Sequence, residues 1–190
     1  MSRACALLLA AALAPAVAAQ TPGRAELALG AVLPSQPFGA PWTAGPGVAA
    51  RLALPLHGGT AEAVLRALSY EGGALDGTSE APGFTFLGAT VGWGPTVRLG
   101  PAELTPLARV GAVQFRFDED PRFGAQLQDE AEAAVGVALR LAVPVGRAAV
   151  WAEGESLRVA LREPETVASL SAGLAVRVGL PPAVRRLLDE

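Results

Sequence analysis

The sequence predicts an all-β fold, an eight-stranded antiparallel up-and-down transmembrane β-barrel, and three observations predict it. Apolar residues alternate with small or charged ones through repeated segments, most strictly between Ala131 and Leu180. The connections between these segments are alternately short and long. Ahead of them stands a stretch with the layout of a secretory signal.

Side chains on a strand alternate sides, so each segment has two readable faces. The first strand, about Arg24 to Leu33, sets Leu27, Leu29, Ala31 and Leu33 against Glu26, Ala28 and Gly30. The second, about Gly47 to Leu56, sets Val48, Ala50, Leu52, Leu54 and Leu56 against Ala49, Arg51, Ala53 and Pro55. In the third, Thr60 to Glu71, Glu62, Val64, Arg66, Leu68 and Tyr70 share a face. The run Ala61 to Leu68 also has high helix propensity. Gly58-Gly59 and Gly72-Gly73 on either side favour a strand between turns.

The fourth strand, Phe84 to Leu99, places Thr85, Leu87, Ala89, Val91, Trp93, Val97 and Leu99 opposite Gly88, Thr90, Gly92, Gly94, Thr96 and Arg98. The fifth, Leu104 to Phe117, has Arg109 and Gln114 on opposite parities, which leaves its facing open. The sixth, Ala131 to Val143, alternates Val135, Val137, Leu139, Leu141 and Val143 with Glu132, Ala134, Gly136, Ala138, Arg140 and Ala142. In the seventh, about Ala148 to Leu161, the apolar set changes parity from Val150 to Leu157, Val159 and Leu161, and a β-bulge near Gly154 would produce that change. The eighth, about Thr166 to Leu180, alternates Leu170, Leu174, Val176, Val178 and Leu180 with Ser169, Ser171, Gly173, Arg177 and Gly179.

The second faces decide between a soluble sheet and a membrane barrel. A solvated exterior carries Lys, Glu, Thr and Asn, whereas a narrow lumen needs Gly, Ala, Ser and a few paired charges. Here those faces are mostly Gly and Ala with about one Arg per strand, as a lumen requires. Nine residues from Val135 to Val143, at about 3.3 Å each and tilted by about 40°, rise roughly 23 Å, close to the roughly 25 Å apolar band of membrane barrels.

Loop lengths add an orientation. His57 to Thr60, Gly100 to Glu103 and Pro144 to Arg147 are tight turns, while Pro34 to Pro46, Gly72 to Gly83 and Asp118 to Glu130 are long; the last connection, near Arg162 to Glu165, is shorter. Short turns face the periplasm in outer-membrane barrels, so the N-terminus is expected on the periplasmic side.

The 190 residues suit one domain, divided into a signal peptide over 1–19, a barrel over 20–180 and a short tail over 181–190. Arg3 is followed by the apolar stretch Ala4 to Leu13 and by small residues that end at Ala19, the expected cleavage point. Cys5, the one cysteine, falls inside the signal, so neither a disulfide, a thiol nucleophile nor a lipoprotein anchor is expected. Net charge is -3 with no basic run, which disfavours nucleic acid as a partner. Mean hydropathy is +0.37 without a long apolar run after the signal, as expected when apolar residues occupy alternate positions.

From about Glu26 to Leu180 the chain resembles the small outer-membrane β-barrel proteins of Gram-negative bacteria, the broad group that includes OmpX-like and OmpA-barrel-like domains. The runs Leu87-Gly88-Ala89-Thr90-Val91-Gly92-Trp93-Gly94-Pro95, Thr105 to Gly111 and Ser171 to Gly179 carry the resemblance. It implies a monomeric, porin-like barrel of the cell outer membrane, with outer-membrane lipid, lipopolysaccharide and the barrel-assembly machinery as partners. Many such proteins end on an aromatic residue that this machinery reads; here the last strand runs into Pro181-Pro182 and the tail Ala183 to Glu190.

On the small-residue faces, Arg51, Arg98, Arg140 and Arg177 are candidates for a lumenal charge network with Glu26 and Glu132, because an unpaired buried charge is too costly. Such a network either lines a selective pore or fills the interior, and eight strands leave room only for side chains. Glu153 and Glu155 either join it or sit near its rim. The acidic cluster Asp118-Glu119-Asp120 with Asp129-Glu130 reads as a solvated loop or a seat for a divalent cation that bridges lipopolysaccharide phosphates. Trp42, Phe38, Trp93 and Trp151 are candidates for the bilayer interfaces.

The expected function is non-enzymatic, structural or surface-interacting through long extracellular loops, with no catalytic residue, cofactor or metal site. A soluble periplasmic lipocalin-like barrel is the alternative, and it needs the Leu and Val faces turned inward. A lipid A-modifying enzyme is a further one; it needs a Ser/His pairing at the outer leaflet, and His57, the only histidine, falls in a turn expected at the opposite end.

Overall fold

The computed structural model describes residues 24–35, 42–74, 81–118 and 129–182. The proposed signal segment lies outside them, as does the tail from 183 onward. Eight strands follow one another: β1 Arg24–Pro34, β2 Gly47–Leu56, β3 Gly59–Glu71, β4 in two pieces (Phe84–Pro95 and Val97–Leu99), β5 Ala102–Phe117, β6 Glu130–Val145, β7 Ala148–Val159 and β8 Glu165–Gly179. Each pairs antiparallel with its neighbour in sequence. The seam between β1 and β8 runs in register from Arg24 opposite Gly179 to Pro34 opposite Ser169, and it closes the sheet into a barrel. A two-residue piece, Thr43–Ala44, extends the far end of β3 by pairing with Glu71 and Tyr70.

One end carries the tight turns. His57 and Gly58 both have positive φ, 48° and 71°, the conformation that matches the right-handed twist of a hairpin. Gly100 and Gly146 adopt φ of 62° and 64° in the other two turns, at a point where an L side chain is strained. The long connections sit at the opposite end.

The two faces of each strand separate cleanly. Leu29, Val48, Leu65, Val91, Val110, Leu139, Val150 and Leu174, one from each strand in turn, project outward and are exposed. The inward positions hold Ala, Gly and Ser, together with buried charged and aromatic side chains. The leucine and valine faces thus point away from the interior, opposite to what a lipocalin-like cavity needs.

Three strands whose facing the sequence left open are now assigned. The third segment is a strand and not a helix, with Glu62, Val64, Arg66, Leu68 and Tyr70 turned inward. In β5 the inward set is the parity of Arg109, with Leu107, Val113 and Phe115 beside it. In β7 the inward set is Ala149, Trp151, Glu153, Glu155, Leu157 and Val159 without interruption.

The β-bulge expected near Gly154 is therefore absent. Gly154 pairs with Leu139 on one side and Leu170 on the other, in unbroken register. Its apolar residues change parity because they serve two surfaces: Val150 is on the outer wall, whereas Leu157 and Val159 fill the interior. The fourth segment, read as one strand, breaks at Thr96 after Pro95, which has no amide hydrogen to give to the ladder.

The interior is layered along the barrel axis. At the long-loop end, Leu68, Tyr70, Phe84, Phe86, Val113, Phe115, Leu157 and Val159 form an apolar layer. Tyr70 stacks on Phe84 with ring centroids 4.6 Å apart, and Phe86 meets Phe115 edge to face at 5.5 Å. Trp42 closes over this layer, edge-on to Phe84 at 5.9 Å, with its indole N–H donated to the Pro82 carbonyl at 3.0 Å. Toward the tight-turn end, Trp151 packs with Ala28, Ala142, Ala149 and Ala175. Trp151 is only 3% exposed, so this tryptophan is an interior residue and not an interfacial one. Trp93 does face outward, and its N–H is donated to the Leu56 carbonyl at 3.1 Å. Phe38 lies outside the described residues.

Candidate functional site: the lumenal charge network

Between the two apolar layers the inward face of the sheet turns ionic. Four guanidiniums, Arg51, Arg66, Arg109 and Arg140, converge on three carboxylates, Glu62, Glu153 and Glu155, all almost fully buried. Arg109 is the hub. Its Nε donates to Glu62 Oε1 at 2.7 Å, its Nη1 to Glu153 and Glu155 at 2.7 Å each, and its Nη2 to Glu153 Oε2 at 2.9 Å and again to Glu62. Arg140 donates to the other oxygen of Glu62, and Arg66 donates to Glu155 at 2.9 Å.

The sheet makes room for these long side chains with glycine. Glu62 on β3 and Arg109 on β5 are both register partners of Gly92 on β4, so the two meet across a residue with no side chain. A Cβ on Gly92 would stand 2.9 Å from Arg109 Cγ. Gly88 does the same for Arg66, its register partner, at 2.9 Å from Arg66 Cγ. Trp151 lies across Gly173 and Gly30, which face each other over the β1–β8 seam; a Cβ on Gly30 would stand 2.5 Å from the indole.

A second, looser group lies at the tight-turn mouth. Arg177 reaches Glu103 at 2.6 Å and Glu26 at 3.5 Å, while Glu26 accepts from Arg51 at 3.1 Å and so ties the mouth to the centre. Beside it Thr96 is hydrogen-bonded to Thr60 at 2.9 Å and to Thr105 at 3.0 Å. Arg24, Thr60, Thr105, Arg140 and Arg177 border a cavity of about 70 Å³ there.

Of the residues proposed from the sequence, the structure brings together Arg51, Arg140, Arg177 and Glu26. It does not bring in the other two. Arg98 stands at the mouth with its side chain 45% exposed and only a 3.9 Å contact to Glu103, because the break at Thr96 ends the regular wall just before it. Glu132 is on the inward side of β6 near the long-loop end, below full burial, and has no ion-pair partner among the described residues. The centre is built instead from Glu62, Arg66 and Arg109, whose strands had no assigned facing, and from Glu153 and Glu155, which join the network and are not rim residues.

Removing an ion from water costs several kcal/mol, and a buried pair offsets that only with good geometry and satisfied remaining donors and acceptors. Here each carboxylate is shared by at least two guanidiniums and Arg109 grips Glu153 through both oxygens. That arrangement fills and cross-links the interior. No group of three or more side chains placed to hold a metal ion occurs among the described residues. His57 sits in a tight turn, remote from this centre.

The fold, a closed eight-stranded antiparallel barrel with an apolar outer wall and a packed polar interior, is that of the small outer-membrane β-barrels. Among solved structures it is similar to Ail, the attachment invasion locus protein of Yersinia pestis, crystallised with the heparin analogue sucrose octasulfate: TM-score 0.57, 14% identity, 83% of this chain and 100% of that one. A second Ail structure gives TM-score 0.55 over the same shares. Neisserial surface protein A is similar at TM-score 0.50 and 12% identity, over 80% of this chain and 95% of that one. No protein-family model matches the sequence, and neither does any curated protein.

Proposed function

We propose that this protein is a non-enzymatic barrel of the outer membrane, sealed to solutes, that acts at the cell surface through its long loops or serves the envelope structurally. The observation that carries this reading is the filled interior. Ion pairs centred on Arg109 occupy the middle of the lumen, and an aromatic layer around Phe84, Phe86 and Phe115 closes the long-loop end. With the lumen occupied, what remains to meet a partner is the outer wall and the loops.

The outer wall supports a bilayer location. Exposed Leu and Val on every strand form a belt that would be a large unprotected apolar surface in water, and in lipid it is the matching surface. Ail and neisserial surface protein A, which share the architecture, support the same location. Lipid and lipopolysaccharide around the belt, a monomeric state, export by a cleaved signal and a periplasmic N-terminus complete the proposal. The described part of the third long loop is acidic, with Asp118, Asp129 and Glu130, and suits a cationic or cation-bridged surface.

Two measurements test it together. The protein is expected in the outer-membrane fraction with heat-modifiable migration on SDS gels, and purified protein is expected to give no conductance steps in planar bilayers. Recovery as a soluble periplasmic monomer, or stable channels, would overturn it.

A further inference from the structure

We propose that the seam between β4 and β5 is a built-in opening line, along which the tight-turn half of the barrel parts while the ion-paired centre and the aromatic layer stay shut. Pairing across this seam lapses after Trp93 opposite Ala108 and resumes at Val97 opposite Leu104. Every other seam pairs without a gap over its described length. The register is the same on both sides of the lapse, which sets Pro95 opposite Pro106.

Neither proline has an N–H, and proline in sheets is otherwise confined to edges, strand starts and bulges. The Pro106 carbonyl oxygen lies where a Cβ on Gly94 would go, so this carbonyl points across the seam at β4. In an antiparallel ladder the bonded pairs recur at every second residue, each exchanging two N–H to carbonyl bonds. Pro95 and Pro106 occupy one of those bonding steps, and neither bond can form there. Trp93 with Ala108 and Val97 with Leu104 are the nearest steps that can bond.

The surroundings confine the opening to this line. Just above the lapse, Arg109 on β5 reaches over Gly92 to Glu62 on β3 at 2.7 Å, which clamps three strands and stops the parting at the centre. On the outer wall the Trp93 indole donates to the Leu56 carbonyl at 3.1 Å, and a Cβ on Gly59 would stand 2.9 Å from its ring, so β4 is strapped to the β2–β3 hairpin. Pro106 pairs with Leu139 on its other side, which keeps β5 with β6. Across the lapse itself the Thr96 and Thr105 hydroxyls meet at 3.0 Å. They border the cavity of about 70 Å³ at the mouth, room for about five waters at roughly 10–15 Å³ each. Water from that cavity can take over a hydroxyl bridge at little cost.

Amide hydrogen exchange, read residue by residue by NMR on the full barrel in detergent micelles, tests this. The seam between β6 and β7 supplies the control, because Leu139 with Gly154 and Val143 with Val150 pair in unbroken register at the same distances from their tight turn. The amides of Trp93, Val97, Leu104 and Ala108 are expected to exchange about tenfold faster than those of Leu139, Val143, Val150 and Gly154. Pro106→Val, which returns an N–H opposite the Pro95 carbonyl, is expected to slow the four fast amides toward the control rates. Should that variant fail to fold, Thr96→Cys with Thr105→Cys places a disulfide across the line; oxidation is expected to slow the same four amides and reduction to restore them. Equal exchange at the two seams in the unaltered chain would overturn the proposal, as would fast amides that neither Pro106→Val nor the closed disulfide slows.

Discussion

Glu62 and Arg109 face the interior from strands that do not touch, and they meet because the residue between them in register, on β4, is Gly92. The pair is fully buried on both sides, and Arg109 is the only residue of the network to contact all three central carboxylates.

Removing Arg109 strands those carboxylates together. Arg109→Met is expected to destabilise the barrel by about 3–5 kcal/mol, the cost of leaving a buried charge uncompensated. The urea midpoint of the folded gel band measures it. Arg109→Met combined with Glu62→Gln is expected to recover part of the loss, and strictly additive effects would show that the two do not interact.

Glycine register makes a second prediction. Gly92→Leu is expected to be as damaging as Arg109→Met, because the new side chain occupies the path of the Arg109 stem. Gly179→Ala, where a Cβ meets nothing within 4 Å, is expected to change stability by less than about 0.5 kcal/mol. Both are read from the same heat-modifiability curves.

The outer wall responds to a different chemistry. Leu139→Arg is expected to cost about 2–4 kcal/mol if the residue lies near the bilayer midplane, and to lower outer-membrane yield. Leu139→Phe keeps the wall apolar and is expected to be well tolerated. A soluble barrel would show the reverse preference, since an exposed Arg would help it.

The tryptophans report their positions optically. Brominated lipids are expected to quench Trp93, which faces outward, and to leave Trp151 unquenched behind the wall. Equal quenching of Trp93→Phe and Trp151→Phe variants would contradict the inward placement of Trp151.

The exposed pair Arg116 and Asp129, 3.8 Å apart with both side chains more than half exposed, is expected to contribute nothing measurable. Arg116→Ala should leave the unfolding midpoint unchanged at low and high salt.

The barrel was legible in the sequence wherever one face was apolar and the other mostly small with an isolated charge, as in β1, β2, β6 and β8. It failed where inward residues were themselves large. In β7, Leu157 and Val159 fill the lumen while Val150 greases the wall, and hydrophobicity alone cannot tell an apolar layer in the interior from an apolar belt in lipid. Trp151 was misplaced for the same reason. The charge centre was half legible: Arg51 and Arg140 stand among small residues, whereas Arg109 stands among Leu107, Val113 and Phe115, where no periodicity marks it as inward. The signal that does mark it is pairwise, since Gly92 and Gly136 flank it in register, and register belongs to the assembled sheet.

The seam between β1 and β8 joins the first strand of the sheet to the last. Until Gly179 has been delivered, the N–H and C=O groups of β1 along that edge have no partner, and lipid supplies none. Closure therefore brings together the residues farthest apart in the sheet, the most non-local pairing in the barrel. A chain cut short within β8 would leave part of that edge of β1 without its partner, so the barrel depends on its last strand as much as on its first.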